Sequence, residues 1–439
     1  SQMVSEALRT SRMRAEELAG VAITDAYVVI SGKFVRCARY TDHVFVAADD
    51  NCISQSDLAA LRERMCNVKA ADGETIMELF PLNYKGDAGN EMKNPVGCYS
   101  KQLSSTYNFI LCEHVAKDRL RRVFLDAGIK IREIFAGAAV VADSVVTSDE
   151  KEDGVAVVDL GGGVTDVAVY HNGVLGYIAS IPMGGAAVNA DIRCFNGHIP
   201  PRTIENLKCQ CGSAVVDLTP DEVIQVRSRS RAIKPISRLN LAAVIEARMT
   251  DIAEYVWREI CDSGYSKKLG AGIVLTGGVA ALKNVADLFN RVTGQEVRVA
   301  CAEIGVQTES LEKVSTPNLT LAVSLLQRGA KLGACPVGVY IPSAKPEPKA
   351  APKVEPQPAP KAEPQKPVEP IAAPEPKPQP QSATAAPKVE LEDDGDDIVD
   401  GTEDIVKPSG LSRIGSWFKR ALSDAFPAPD DEDDGDDEY

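Results

Sequence analysis

Two short apolar runs that end in glycine loops constrain this chain of 439 residues more than any other feature. Val155-Ala156-Val157-Val158 runs into Asp159-Leu160-Gly161-Gly162-Gly163-Val164-Thr165-Asp166 and then into Val167-Ala168-Val169-Tyr170. Further on, Gly272-Ile273-Val274-Leu275 runs into Thr276-Gly277-Gly278-Val279. Short apolar runs bounded by turn signals predict buried strands. His171-Asn172-Gly173, standing before Val174-Leu175-Gly176-Tyr177, is the strongest short hairpin signal. Strands that feed glycine loops and then helices predict an α/β body with ligand loops at its strand ends. Three consecutive glycines expose backbone N–H groups with no Cβ in the way, which suits close approach of a phosphate oxygen. A plain glycine-rich hairpin turn is the alternative. The pattern is neither GxGxxG nor GxxxxGK[ST], so dinucleotide-fold and P-loop readings fail. Asp159, at its strand end, is placed to hold Mg2+ through water, because Mg2+ keeps several waters and takes one or two carboxylates. The second loop is expected to open a helix over Leu282 to Arg291, where a ligand meets N-terminal amides.

The stretch before Val155 is mixed. Tyr27 to Gly32 begins a β-rich segment, and Ser54 is placed as the N-cap of a helix with Asp57 and Leu58 behind it. Met77 to Pro81, Leu103 and Tyr107 to Cys112 predict strands, and His114 to Ala127 predicts an amphipathic helix closed by Gly128. A further helix is expected from Leu239 to Ile260. Composition then divides the chain near Tyr340. Before Ile341 there are 37 basic and 40 acidic residues; after Tyr340 there are 11 and 23, together with 18 of the 27 prolines and none of the 11 cysteines. The last stretch of about 100 residues cannot bury a core, and the body of about 340 residues has the length of two domains. A near-neutral body with an acidic tail argues against nucleic-acid binding, which needs a basic surface. No CxxC occurs, and Cys209-Gln210-Cys211 has no second pair to complete a zinc site, so reduced cytosolic thiols are expected. No run of ~18 apolar residues is present to span a bilayer. The opening, Ser1-Gln2-Met3-Val4-Ser5-Glu6, reads as the middle of a helix, so a missing true beginning is expected.

These loops carry a family resemblance. Val158 to Gly163 resembles the second phosphate motif of the actin, Hsp70 and sugar-kinase superfamily, and Gly272 to Gly278 resembles its adenosine motif. Ile134 to Ala139 and Pro317 to Val323 resemble its two connecting helices. Within the superfamily the chain is most similar to the bacterial FtsA family, through Ala19-Gly20 with Val28 to Gly32, Asn94 to Gly97, Ile181 to Gly185, Ile204 to Lys208 and Val244 to Arg248, in order over about Leu8 to Gly333. The resemblance implies an α/β, two-lobed actin-like fold with an FtsA-type inserted subdomain. It also implies binding of ATP and Mg2+, self-association into filaments, and tethering of the FtsZ ring to the membrane among other divisome proteins. The location implied is peripheral, on the cytoplasmic face of the bacterial plasma membrane at the division septum. Carried onto this sequence, Gly161, Gly162 and Gly163 face the phosphates with Thr165 as the nearby hydroxyl, since Val164 stands where a hydroxyl residue is usual. Asp159 faces the Mg2+ water shell, Gly277 and Gly278 lie under the adenosine, and Glu205 and Lys208 lie near the ribose. Arg238, Glu246 and Arg248 belong to the region that receives the FtsZ C-terminal peptide. No catalytic residue is implied; FtsA-like proteins are at most slow ATPases. The family's first phosphate loop, a D-x-G-[ST]-[ST]-K hairpin, is absent from this sequence, which fits a fragmentary record. A sugar kinase or a pilus-assembly or shape-determining actin homologue is the alternative. A kinase has no use for the terminal helix described next, and the tail lacks the β pattern of an Hsp70 peptide-binding domain.

The resemblance implies boundaries at 1–19 (remnant of the first subdomain), 20–102 (insertion), 103–147 (first subdomain continued), 148–190 with 269–316 (nucleotide-binding subdomain), 191–268 (outer, FtsZ-binding) and 317–340 (closing helices). Residues 341–408 are Pro-, Lys- and Glu-rich and predict an extended disordered linker, spanning from ~45 Å as a coil to ~200 Å fully extended. Within 409–426, a helical wheel puts Leu411, Ile414, Trp417, Phe418 and Leu422 on one half and Arg413, Lys419 and Arg420 on the other. An isolated amphipathic helix of this kind predicts an interfacial anchor on an anionic membrane; docking into a protein groove is the alternative. The acidic end at 427–439 is expected to weaken that anchoring, since an anionic surface repels it.

Overall fold

The structure, a computed structural model, describes residues 2–196, 199–227, 233–302, 314–333 and 337–339. The linker at 341–408, the amphipathic helix at 409–426 and the acidic end at 427–439 lie outside the described residues. Among the described residues no helix is long and apolar enough to cross a membrane.

The chain opens with α1 (Gln2–Ala19), β1 (Val21–Ile23) and β2 (Asp25–Ile30). Next come β3 (Val35–Phe45), α2 (Gln55–Cys66), β4 (Glu74–Lys85), β5 (Glu91–Met92) and β6 (Gln102–Glu113). Strands β3, β6, β4 and β5 form an antiparallel sheet in that order. Helix α2 covers it, burying Leu61 and Met65 against Leu103, Tyr107 and Phe109. Its start is fixed by Ser54, whose N–H donates to Asp57 Oδ2 at 2.8 Å, one half of a capping box. Helix α3 (His114–Asp126) leads to β7 (Lys130–Ala136), which lies parallel to β2. The region from β3 to α3 is therefore the crossover between two parallel strands. The insertion expected over 20–102 builds its own sheet over 35–113, because β2 pairs with β7 instead.

Strand β7 passes directly into α4 (Gly137–Val145) and α5 (Ser148–Asp153), and then the glycine-loop region begins. It comprises β8 (Val155–Leu160), β9 (Thr165–His171), β10 (Val174–Ile181), α6 (Gly185–Asn196), α7 (Pro201–Cys211), β11 (Val223–Arg227), β12 (Ile233–Ser237) and α8 (Arg238–Asp262). After it come β13 (Ile273–Thr276), α9 (Val285–Thr293), β14 (Val297–Val299), α10 (Thr320–Leu332) and β15 (Val337–Val339). The central sheet has the order β10-β9-β8-β13-β14, antiparallel across the first three strands and parallel across the last three. The hairpin joining β9 and β10 turns at Asn172 (φ 54°) and Gly173 (φ 77°), both left-handed as a two-residue turn of matching twist requires. Helix α8 buries Leu241, Ile245, Met249, Ile252, Val256 and Ile260, each contributing about 1.5–3 kcal/mol of gross burial.

Polar contacts join the insertion to this sheet. Strand β10 is an edge, and the insertion blunts it. Asn108 Nδ2 donates to the Leu175 carbonyl at 3.3 Å, and Arg39 Nη2 reaches the Gly176 and Ser263 carbonyls at 3.5 and 3.2 Å. Edge strands left open invite pairing with other chains. Helices α4 and α10 pack together, with Ser144 and Ser324 sharing a hydrogen bond. Arg328 of α10 reaches Glu78 Oε2 of β4 at 3.0 Å and Asp143 Oδ2 of α4 at 3.3 Å. Asp143 Oδ1 also accepts from Lys151 (2.9 Å) and Tyr170 (2.7 Å).

Candidate functional site

The loop between β8 and β9 is closed by Gly161 N–H donating to the Val164 carbonyl at 3.0 Å. Its own carbonyls are held from outside: Gly185 N–H donates to Gly161 O at 3.0 Å and Ala186 N–H to Gly162 O at 2.8 Å. The N-terminus of α6 is therefore bolted to the back of the loop. That approach requires Gly184, where a Cβ would fall 2.4 Å from Gly161 O. On the other side, a Cβ at Gly162 or Gly163 would meet nothing within 4 Å. The loop thus presents an open face at Gly162 and Gly163, which is what a phosphate needs.

The second loop meets the first. Gly277 (φ 89°) follows β13, and a Cβ there would lie 2.2 Å from Asp159 Oδ1 and 2.6 Å from the Leu160 carbonyl, so only glycine fits. Gly278 opens a 3-10 turn, Gly278–Ala281, and the helix expected from Leu282 begins at Val285 as α9. Asp159 and Asp166 stand opposite each other in the β8/β9 ladder and so share a face of the sheet. Burial, with the Asp166 charge adding to it, pushes the Asp159 carboxyl up to about 7. Burial also raises Asp166, although Ser180, Ser31 and the Gly32 N–H hydrogen-bond to it. A desolvated carboxylate without a cation is a fit for a hydrated divalent metal at Asp159. Among the described residues no cluster of three or more metal-ligating side chains stands together, so a metal here relies on one carboxylate and its own waters or ligand.

Helix α7 supplies the third wall. Lys208 Nζ lies 2.7 Å from Glu205 Oε2, and the Lys208 side chain is 8% exposed. Burial pushes the Glu205 carboxyl up, but hydrogen bonds from Lys208 and Asn189 outweigh it and hold it below its ordinary value. A Cβ at Gly185 would stand 3.1 Å from Lys208 Nζ and 2.9 Å from Val279 Cγ2. Gly185 is therefore where both glycine loops, α6 and the α7 ion pair converge. Beside it, a cavity of about 210 Å³ opens between α6 and α7, lined by Ala186, Asn189, Ala190, Arg193, Pro201 and Ile204. The buried Asn189 Oδ1 has no hydrogen-bond partner among the described residues.

Not every expected residue faces this cleft. The Thr165 hydroxyl is fully buried and donates to the Met183 carbonyl at 2.9 Å. Sequence reasoning gave Gly184 and Gly185 no role, and Asn189 was missed altogether; the glycine pair closing Ile181-Pro182-Met183-Gly184-Gly185 was the available signal. The three residues of the outer region also separate. Arg248 sits in a groove of about 430 Å³ between α6 and α8, with Phe195, Asn240, Val244 and Ala247. There it pairs bidentately with Asp191 (2.6 and 3.2 Å) and with Asp251 (3.0 Å). Arg238 instead binds the Cys211 carbonyl and Glu222, and Glu246 accepts the Val216 N–H at 2.6 Å.

Comparison with known proteins gives two family matches, to "Cell division protein FtsA" over residues 156–324 and to "SHS2 domain inserted in FTSA" over residues 35–111. The chain is 32% identical over 326 residues to the cell division protein FtsA of Escherichia coli K12, covering 72% of this chain and 76% of that protein. It is 29% identical over 340 residues to FtsA of Buchnera aphidicola, covering 75% and 80%. Among solved structures it is similar to ADP-bound MreB5 of Spiroplasma citri, at 19% identity and a TM-score of 0.40 over 50% of this chain and 66% of that one.

Proposed function

This chain belongs to the FtsA family of cell division proteins, and we propose that it is an ATP- and Mg2+-binding adaptor that tethers the FtsZ ring to the cytoplasmic face of the plasma membrane at the division septum. The convergence of both glycine loops, Asp159 and the Glu205–Lys208 pair around Gly185 carries the nucleotide part of this reading. Gly162 and Gly163 offer backbone donors to the phosphates, and Asp159 orients the water shell of Mg2+. Gly277 and Gly278 leave room for the adenosine, and Glu205 and Lys208 hold the ribose side of the cleft. Mg2+ supplies charge neutralisation of the phosphates when bound. The nucleotide acts as an assembly cofactor in this account, with at most slow turnover. The groove around Arg248 receives the FtsZ C-terminal peptide: exposed Phe195 and the apolar α8 face suit its side chains, with Arg248 held in the wall by Asp191 and Asp251. The helix at 409–426 lies on the membrane through Leu411, Ile414, Trp417, Phe418 and Leu422, with Arg413, Lys419 and Arg420 toward lipid phosphates.

Fluorescent-nucleotide titration with and without Mg2+ tests the site. The unchanged chain is expected to bind ATP analogues more tightly with Mg2+. Lys208→Ala is expected to weaken binding about tenfold, the usual effect of losing a charged hydrogen bond, and Asp159→Asn to abolish the Mg2+ effect. Equal binding by all three chains would contradict the assignment.

A further inference from the structure

Helix α3 crosses the surface with an outward face of unusual make-up for an acidic protein. Val115 and Leu125 are 55% and 73% exposed, and Arg119 and Arg122, also exposed, lie on the same side at helical spacing. Neither arginine has an ion-pair partner among the described residues, whereas Asp118 is shared by His114 and Arg121. Arg9 of α1 lies alongside, its Nε donating to the Asp126 carbonyl at 2.9 Å. With Lys117 and Arg121, helix α3 carries four cations against Asp118 and Asp126, which share its outward arc, on a body in which acids outnumber bases 40 to 37. Apolar side chains interleaved with arginines on one exposed helix face form no groove for a peptide. They repeat the chemistry of the 409–426 segment, which is an interfacial anchor in the reading above.

Topology adds a second argument. The last described strand, β15, pairs antiparallel with β1, Val339 opposite Val21. Strand β1 directly follows α1, which is held on α3 by Arg9 and by Arg12, whose Nη1 reaches the Ala127 and Gly128 carbonyls at 3.0 Å. The chain that continues toward the anchor helix thus starts beside the α1–α3 layer.

Resting on the membrane-adaptor reading, we propose that the outward face of α3 is a second contact with an anionic lipid surface, through Arg119 and Arg122 with Val115 and Leu125. Each contact is weak alone, and a shared surface makes the two reinforce one another through effective concentration.

Cosedimentation of the full chain with phosphatidylglycerol-containing vesicles, and with phosphatidylcholine vesicles as reference, tests this. Arg119→Glu with Arg122→Glu is expected to lower partitioning onto anionic vesicles about 25-fold, at roughly fivefold per cation. The melting temperature should not move, since both side chains are solvent-exposed, and the paired Lys substitutions should retain binding. Unchanged partitioning of the Glu variant overturns the proposal. Loss of self-association with vesicle binding intact also overturns it, and assigns the face to a second copy of the chain. If the unsubstituted chain binds no vesicle, the adaptor reading itself fails and this inference with it, an outcome distinct from a defect confined to the Glu variant.

Discussion

In the proposed site Asp159 is the carboxylate that would face Mg2+, and its burial contributes to how stability should depend on pH. Its ordinary carboxyl value is 3.8, and burial beside Asp166 raises it to about 7 in the folded state. Below about pH 4 both states hold the proton and the group is neutral to stability. Between about 4 and 7 only the folded state holds it, so stability falls as pH rises across that window. Thermal melts of the unliganded protein should show this decline, Asp159→Asn should lessen it while buried Asp166 retains its share, and Mg2+ should raise the melting temperature above pH 7 more than at pH 5.5. A melting temperature that does not change between pH 4.5 and 7.5 would contradict the assignment. At this scale the sequence was partly legible. Asp159, Gly162 and Gly277 stand out because strand-end position and missing Cβ atoms are properties of the local chain. The direction of Thr165 is not local: its hydroxyl goes to Met183 because the β10–α6 corner folds against the start of β9. For the same reason the glycine pair at 184 and 185 gave only a hint, since the need for a bare Cα at Gly184 comes from the carbonyls of Gly161 and Gly162 more than 20 positions earlier.

Elements were easier to read than their partnerships. Asn172-Gly173 announced the β9/β10 hairpin, Ser54 announced α2, and the periodicity of 239–260 announced α8. The pairing of β2 with β7 across a crossover of 99 residues (31–129) left no periodic trace, which is why the insertion boundary differs. Helical geometry also explains why Arg238 and Glu246 part from Arg248: positions 246 and 248 lie about 200° apart on one helix, so they cannot line one groove. The joint between insertion and connecting helices yields a prediction. Arg328 sits between Glu78 and Asp143, and burial raises the Glu78 carboxyl despite Arg328. Arg328→Ala should destabilise the protein by about 2 kcal/mol, because two partly buried carboxylates lose their shared cation. Adding Glu78→Ala should recover part of that loss, since the orphaned charge is then gone. Chemical denaturation of the four chains of the cycle reads the coupling; strictly additive losses would remove the joint from the account.

For the molecule as a whole, the proposed tether needs a nucleotide-binding body, a peptide groove and a terminal anchor to act together. Helix α6 borders both proposed sites: it is bolted to the β8–β9 glycine loop at its N-terminus and lines the Arg248 groove further along. In the proposed reading, nucleotide occupancy and peptide capture both bear on this one helix. Flotation of vesicles with purified FtsZ tests the joining of these parts most directly. With this chain and ATP present, FtsZ should float with phosphatidylglycerol-containing vesicles. It should remain in solution when Trp417 and Phe418 are replaced by Glu or when FtsZ lacks its C-terminal peptide. If this chain floats and intact FtsZ stays behind, the tether proposed here is contradicted.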